Sequence, residues 1–223
     1  AGYALTTGGS NIIIGRGAGD AHTSMEGTVL IGHYAGSTIN NNNSNYTVMI
    51  GYHAGQGVTS GTANNLIGFY AGRYISTGGY NTMFGSETGA HMNASSNTFI
   101  GYYAGRGLIS SSPYGNGGYN TAVGRESLQT VFSGSHNVAL GYVAGKYATG
   151  SYNTFVGSYT GQGGTTSAPY SSGQYNTAIG EKAMTGMTSA VSNVAVGNSA
   201  LQDITSATSN VAVGLNAGAN ITS

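Results

Sequence analysis

The sequence predicts an all-β protein, a single-stranded parallel β-solenoid or β-roll of about twelve coils. One pattern recurs twelve times: an Asn or Thr, three mostly apolar residues, and a Gly, usually spaced by 16 or 17 residues. The three residues are rich in Val, Ile, Thr and Phe, which favour strands. A period this short leaves no room for a helix in each repeat, unlike arrays with units of about 33 residues.

Each of these strands is followed by a glycine, which we term the anchor glycine, and we predict that the anchors line up on one edge. The residue before the anchor is large and apolar in every repeat, as in Ile14, Ile67, Val123 and Val213. We predict that these side chains form one interior column. The anchors are Gly15, Gly32, Gly51, Gly68, Gly85, Gly101, Gly124, Gly141, Gly157, Gly180, Gly197 and Gly214.

The rest of each repeat predicts turns and a second short strand. A small residue such as Ala18 or Ala35 lies three positions after the anchor, usually followed by a Gly that can adopt positive φ where the chain reverses. A further turn precedes the next Asn. Two short strands and two turns therefore complete a coil of 16–17 residues. We predict that residues 1–223 form one continuous solenoid segment, with a partial coil at residues 1–5.

The position before each strand is Asn in ten repeats, with Thr28 and Thr47 in the other two. A column of Asn predicts an amide ladder that satisfies turn backbone, in preference to a ligand site.

The middle strand position is apolar as well, with Met49 and Phe99 among its largest residues. Because successive side chains of a strand point to opposite faces, both faces of this strand are apolar. The solenoid interior covers one face, and another copy of the same chain is the simplest cover for the second. We therefore expect self-association.

The composition excludes several classes of protein. Gly makes up 40 of 223 residues, but without a period of three and with only two Pro, which excludes collagen. Charged residues are 5% and the net charge is zero, so the composition does not indicate binding to nucleic acid or to anionic lipid. The chain has no Cys, and no apolar run approaches the ~20 residues of a membrane span. We expect no nucleic-acid partner, no membrane insertion and no cofactor.

Two groups of side chains are candidates for chemistry. Glu87 and Glu126 share a register two residues after their anchors and two coils apart, about 9.6 Å along the axis. That separation is near the upper end for inverting glycosidases. His33 and His53 fall near one register on adjacent coils, without a third metal ligand. We predict that the chain is not an enzyme, with no catalytic residue and no metal site.

Three connections are longer than the others, and we interpret them as loop insertions in the scaffold. They span residues 37–46, 106–119 and 162–175. The second and third have equal length and each carry a Pro-Tyr pair, three coils apart on one edge. Such loops commonly carry binding function. We predict receptor contacts at Pro113, Tyr114, Pro169 and Tyr170.

Aromatic residues form further columns, either just after the anchors, as Tyr52 and Tyr102, or just before the strand Asn, as Tyr119, Tyr152 and Tyr175. An exposed row of Tyr could stack on sugar rings. Stacked Tyr ladders also stabilise solenoids, and we favour that interpretation.

Several repeats resemble a known family. Asn-Thr-Ala-Val-Gly at 120–124 and Asn-Val-Ala-Val-Gly at 193–197 and 210–214 resemble the head repeats of trimeric autotransporter adhesins. They are still more similar to related repeats of phage tail fibres, whose units commonly end in Ala-Leu, as at Ala200-Leu201. The resemblance covers essentially the whole chain. It implies a left-handed parallel β-roll, assembled as a parallel homotrimer for adhesion or receptor binding.

The expected function is therefore a structural and adhesive segment of a phage tail fibre, located on the virion, that contacts a glycan or protein of the host surface. One alternative is the head domain of a bacterial trimeric surface adhesin, located on the cell surface. A fibre-borne polysaccharide depolymerase built on Glu87 and Glu126 is a third hypothesis. An ice-binding solenoid is a fourth, although Thr is confined largely to one strand position.

Overall fold

The computed structural model describes residues 1–39, 44–108, 115–164 and 171–222. The chain forms two compact units, Ala1–Asn116 and Gly117–Ser223. The first holds the strands β1 (Ile12–Ile14), β2 (Val29–Ile31), β3 (Val48–Ile50), β4 (Asn65–Ile67), β5 (Thr82–Phe84) and β6 (Thr98–Ile100). The second holds β7 (Thr121–Val123), β8 (Val138–Leu140), β9 (Thr154–Val156), β10 (Thr177–Ile179), β11 (Val194–Val196) and β12 (Val211–Val213). In the described ranges there is no α-helix, and hence no helix long and apolar enough to cross a membrane.

Within each unit, every strand pairs in parallel with the next strand along the chain. In the first unit Ile13 of β1 lies opposite Leu30 of β2, and the same register continues strand by strand to β6. The second unit repeats this arrangement from β7 to β12. A chain that returns after each coil to lie beside its previous strand is a parallel β-solenoid, as the repeat pattern predicted.

Within the described ranges, each coil contains one regular strand, where two were expected. The corner segment after the anchor is a turn, because residues such as Tyr34 and Gly36 adopt φ of 54° and 57°, which a strand cannot hold. Successive corners are nevertheless hydrogen-bonded: the Gly19 N–H donates to the Ala35 carbonyl at 3.0 Å. Among the other described residues, strand-like pairing consists of isolated bridges such as Val191 with Thr208.

The middle strand residue forms the interior column. Met49, Phe99 and Phe155 are completely buried. By contrast, Ile14 is 57% exposed and Val213 is 68% exposed. The prediction that Ile14, Ile67, Val123 and Val213 line the interior is therefore wrong; Ile67 and Val123 are half-buried on the outer face of the strands. Alternation of side chains places the first and third strand residues together on that face.

The anchor glycines stack in one column within each unit, as predicted. Gly51 has φ of 138°, and a Cβ atom there would lie 2.4 Å from the carbonyl oxygen of Gly68. Both the conformation and the close approach of the next coil require glycine.

The predicted Asn ladder is present and buried. The Asn137 side-chain oxygen accepts from the backbone N–H of Asn153 at 2.9 Å, and its amide donates to the Gly150 carbonyl at 2.9 Å. The same pattern links Asn120, Asn137, Asn153, Asn176, Asn193 and Asn210 from coil to coil. The column therefore satisfies turn backbone through the length of the second unit.

Candidate functional site

The four predicted receptor-contact residues, Pro113, Tyr114, Pro169 and Tyr170, lie outside the described residues, as does part of the 37–46 insertion. The other candidate surfaces lie on the coils of the solenoid.

The outer face of the strands is the first such surface. Its third-position side chains are all apolar and none is buried: Ile14, Ile31, Ile50, Ile67, Phe84, Ile100, Val123, Leu140, Val156, Ile179, Val196 and Val213. The first-position side chains beside them are Val, Thr or Ile, with Asn65 as the exception. No strand carries a charged residue on this face, which we name the outer strand face.

The aromatic column before the Asn ladder forms a continuous stack in the second unit. His136 lies between Tyr119 and Tyr152, with ring centroids 4.9 Å away on each side, and Tyr152 stacks on Tyr175 at 5.0 Å and 5°. A ring within this stack has both faces covered, so it cannot place a face against a sugar ring. The geometry thus matches the ladder interpretation.

The column just after the anchors stacks in a similar way in the first unit. His33 stacks on Tyr52 at 5.3 Å, and Tyr52 stacks on Phe69 at 5.5 Å. His33 and His53, the pair considered for a metal, have ring centroids 5.6 Å apart. The Nδ1 atom of His53 is 2.7 Å from Gln56 Oε1. In the part of the chain that the structure describes, no three metal-ligating side chains come together.

The two acids considered for glycoside hydrolysis are engaged in ion pairs. Glu87 Oε2 is 2.6 Å from a terminal nitrogen of Arg106. Glu126 is 2.7 Å from Lys146 Nζ and 2.9 Å from Arg125. Burial opposes ionisation of Glu126, but Lys146 and Arg125 outweigh it and hold the pKa of this carboxyl below its usual range. A general acid needs the opposite shift.

A cleft of about 300 Å³ opens beside Glu87 in the first unit. We name it the arginine cleft; it is lined by Tyr70, Arg73, Tyr74, Glu87, Ala90, His91 and Arg106. Sequence reasoning missed it because these residues come from three coils. The available signal was that Arg73 and Arg106 both lie five residues after an anchor, a register that the coils bring into one column.

The electrostatics of the arginine cleft are dominated by its two cations. Burial and the nearby guanidinium of Arg106 lower the pKa of His91, with a smaller contribution from Arg73 and an opposing one from Glu87. A hydrogen bond with Tyr102 raises the pKa of Tyr103, beside the cleft, to about 12. The Tyr103 hydroxyl donates a long hydrogen bond of 3.4 Å to Glu87.

The fold and these surfaces define a class, the parallel β-solenoid repeat proteins. Comparison with protein-family models, with curated proteins and with solved structures finds no match.

Proposed function

We propose that the chain is a structural and adhesive segment of a phage tail fibre, in which three parallel copies pack through the outer strand face and attach the virion to a host surface. The observation that carries the proposal is the apolar third position on the outside of all twelve strands. Soluble proteins rarely leave a continuous apolar strip in water. Five strand spacings of about 4.8 Å give a strip of about 24 Å in each unit.

A second copy of this chain fits that strip better than an unrelated partner. The strip repeats one apolar residue at every strand spacing, so a parallel copy presents side chains with the same period and can interdigitate in register. The absence of charge on the face removes any repulsion between identical surfaces. Closed symmetry then covers every strip without leaving an open edge. The number three follows from the resemblance to trimeric fibre repeats.

The adhesive part of the proposal rests on the two Pro-Tyr loops. Two loops of equal length in each chain, repeated in three copies, would present several weak contacts at once. Each later contact forms at high effective concentration, which raises the overall avidity. Tyr suits such contacts because it offers a large area at a modest entropy cost.

The assembly is tested with charges on the outer strand face. Val156→Glu with Ile179→Glu places two carboxylates on adjacent strands and leaves the interior residues Phe155 and Ala178 unchanged. The control carries the same charges at Ser133 and Ser189, which are exposed in turns. Analytical ultracentrifugation should show a trimer for the wild type and the control, and a folded monomer for the outer-face variant.

A wild-type chain that sediments as a stable monomer at micromolar concentration would overturn the assembly. If the Glu variant does not fold, the milder pair Val156→Thr with Ile179→Thr should still weaken the trimer. Thr is tolerated on this face, since it occurs naturally at the first strand position.

Adhesion is tested separately with Tyr114→Ala and Tyr170→Ala. Loss of binding to host cells with an unchanged melting temperature supports the loops as contacts, and unchanged binding rejects them.

A further inference from the structure

We propose that the arginine cleft binds an acidic sugar, through the carboxylate and the hydroxyl groups of one saccharide unit. The biological role of such a site rests on the proposed adhesive function, whereas its chemistry depends only on the described residues of the first unit.

Arg73 supplies a fixed positive charge that the described part of the chain does not neutralise. Its Nε donates to Gln56 Oε1 at 3.2 Å. Its guanidinium carbon lies 4.3 Å from the centre of the Tyr70 ring and 4.9 Å from that of Tyr74. No carboxylate in the described ranges lies within ion-pair distance of Arg73, although Glu87 pairs with Arg106 nearby. The two rings and Gln56 hold the guanidinium in place, so that little entropy is lost when it binds a carboxylate.

The ion pair of Glu87 and Arg106 can bind the hydroxyl groups of the sugar. The carboxylate of Glu87 is held by Arg106 at 2.6 Å and retains acceptor capacity beyond the long bond from Tyr103. The Nε–H of Arg106 is buried and makes no hydrogen bond with any described residue. A buried donor without a partner is costly, and a shift of the Arg106 side chain that brings this N–H to a ligand oxygen removes that cost.

The charge pattern selects an acidic sugar over a simple inorganic anion. Two arginines and one glutamate leave a single positive charge, which matches one carboxylate. Inorganic phosphate carries close to two negative charges at neutral pH and only one or two hydroxyl donors, so it fits a single net positive charge beside the Glu87 carboxylate less well. A uronic acid carries the carboxylate for Arg73 and hydroxyl donors for Glu87. The cleft of about 300 Å³ is at the small end of ligand sites, which suits one sugar ring.

The test is a calorimetric and NMR titration of the full chain with D-glucuronate, D-glucose and inorganic phosphate. We expect glucuronate to bind at least tenfold more tightly than glucose or phosphate. Arg73→Gln should weaken glucuronate binding tenfold or more, and Arg73→Lys should give an intermediate loss because it keeps the charge without the planar fork. Arg16→Gln, which removes the same charge at an exposed site on another coil, should leave the affinity unchanged.

Equal binding of glucose would overturn the role of the carboxylate, and equal binding of phosphate would overturn the role of the sugar. Equal losses in Arg73→Gln and Arg16→Gln would show a non-specific charge effect. A thermal melt of each variant confirms that the fold is intact, and Arg73→Lys serves if Arg73→Gln does not fold. Failure of the sugar site can be distinguished from failure of the proposed fibre assembly. If the chain is a monomer but binds glucuronate through Arg73, the sugar site is supported and the fibre assembly is rejected. If the chain is a trimer that binds cells but not glucuronate, only the sugar site is rejected.

Discussion

The Phe99 ring fills the interior space that a side chain at Gly105 would need, since a Cβ atom on Gly105 would lie 2.3 Å from Cε2 of that ring. The second unit contains the reverse arrangement. There Ala122 takes the place of Phe99, and the fully buried Leu128 takes the place of Gly105, with φ of 46°. The same exchange is made by Ala178 with Met184 and by Ala195 with Leu201. In these coils the interior is thus filled from one of two positions, the middle strand residue or the residue four after the anchor.

This exchange predicts a compensating pair of substitutions. Phe99→Ala alone should lower the free energy of unfolding by about 3–5 kcal/mol, because it leaves a cavity. Gly105→Leu alone should also destabilise, because the new side chain meets the ring. The double variant recreates the arrangement of Ala122 and Leu128 and should recover at least about 1 kcal/mol relative to the sum of the single losses. Urea denaturation of the four proteins measures this; additive losses would contradict it.

The same relationship explains which parts of the fold were predictable. Strand positions, anchors and coil register follow from the recurring Asn and Gly, because glycine is required where coils approach at positive φ. The interior face was assigned wrongly, because Ile13 and Ile14 are equally apolar and hydrophobicity cannot choose between them. Side-chain size could have identified the interior position. The coil with the large Phe99 at the middle strand position has Gly105 at the corner, whereas the coil with the small Ala122 has Leu128 there. Residues that exchange volume must share a closed space.

The candidate sites were less predictable than the fold. The arginine cleft depends on side-chain placement across three coils, which spacing indicates only as a shared register of Arg73 and Arg106. The loop residues Tyr114 and Tyr170 were selected from composition and spacing, and they stay predictions.

The Asn ladder predicts a graded response at one position. Asn137→Leu removes the acceptor for the Asn153 N–H and the donor to the Gly150 carbonyl, so buried polar groups lose their partners. We expect a loss of about 2–4 kcal/mol in the free energy of unfolding. Asn137→Thr should cost clearly less, because Thr28 occupies the equivalent position and bonds the Glu26 carbonyl. Denaturation curves compare the two variants, and equal losses would show that the hydrogen bonds contribute little.

Two anchor glycines separate backbone strain from stacking. Gly197 and Gly214 have similar φ, 134° and 126°. A Cβ on Gly197 would lie 2.4 Å from the Gly214 carbonyl oxygen, whereas a Cβ on Gly214 has its nearest neighbour, Ala217 Cβ, at 4.0 Å. Both Ala variants carry the conformational strain, but Gly197→Ala also forces two coils apart and should cost at least about 1 kcal/mol more. Thermal denaturation of residues 1–223 gives the comparison; a larger effect at Gly214 would contradict the assigned stacking.

His22 predicts how stability depends on pH. Its side chain is buried, neither ring nitrogen makes a hydrogen bond in the described ranges, and burial lowers its pKa to about 4. The backbone of Gly36 opposes the shift, with a geometry that falls short of a hydrogen bond. Between pH 6.5 and 4 the unfolded chain therefore binds more protons than the folded chain, so that the free energy of unfolding falls as the pH falls.

The full contribution of His22 is present above pH 6.5, and at most about 3 kcal/mol of stability is lost by pH 4. His22→Leu removes the titrating group without breaking a hydrogen bond, so it should flatten the curve of stability against pH in this window. His91 adds to the acid loss in the same direction, since burial and the adjacent arginines lower its pKa as well. The single variant should consequently remove part of the dependence, and His22→Leu with His91→Leu should remove more. Urea denaturation at intervals from pH 7.5 to 4 measures the slopes, and a His22→Leu slope equal to that of the wild type would show that this histidine is not buried in its neutral form.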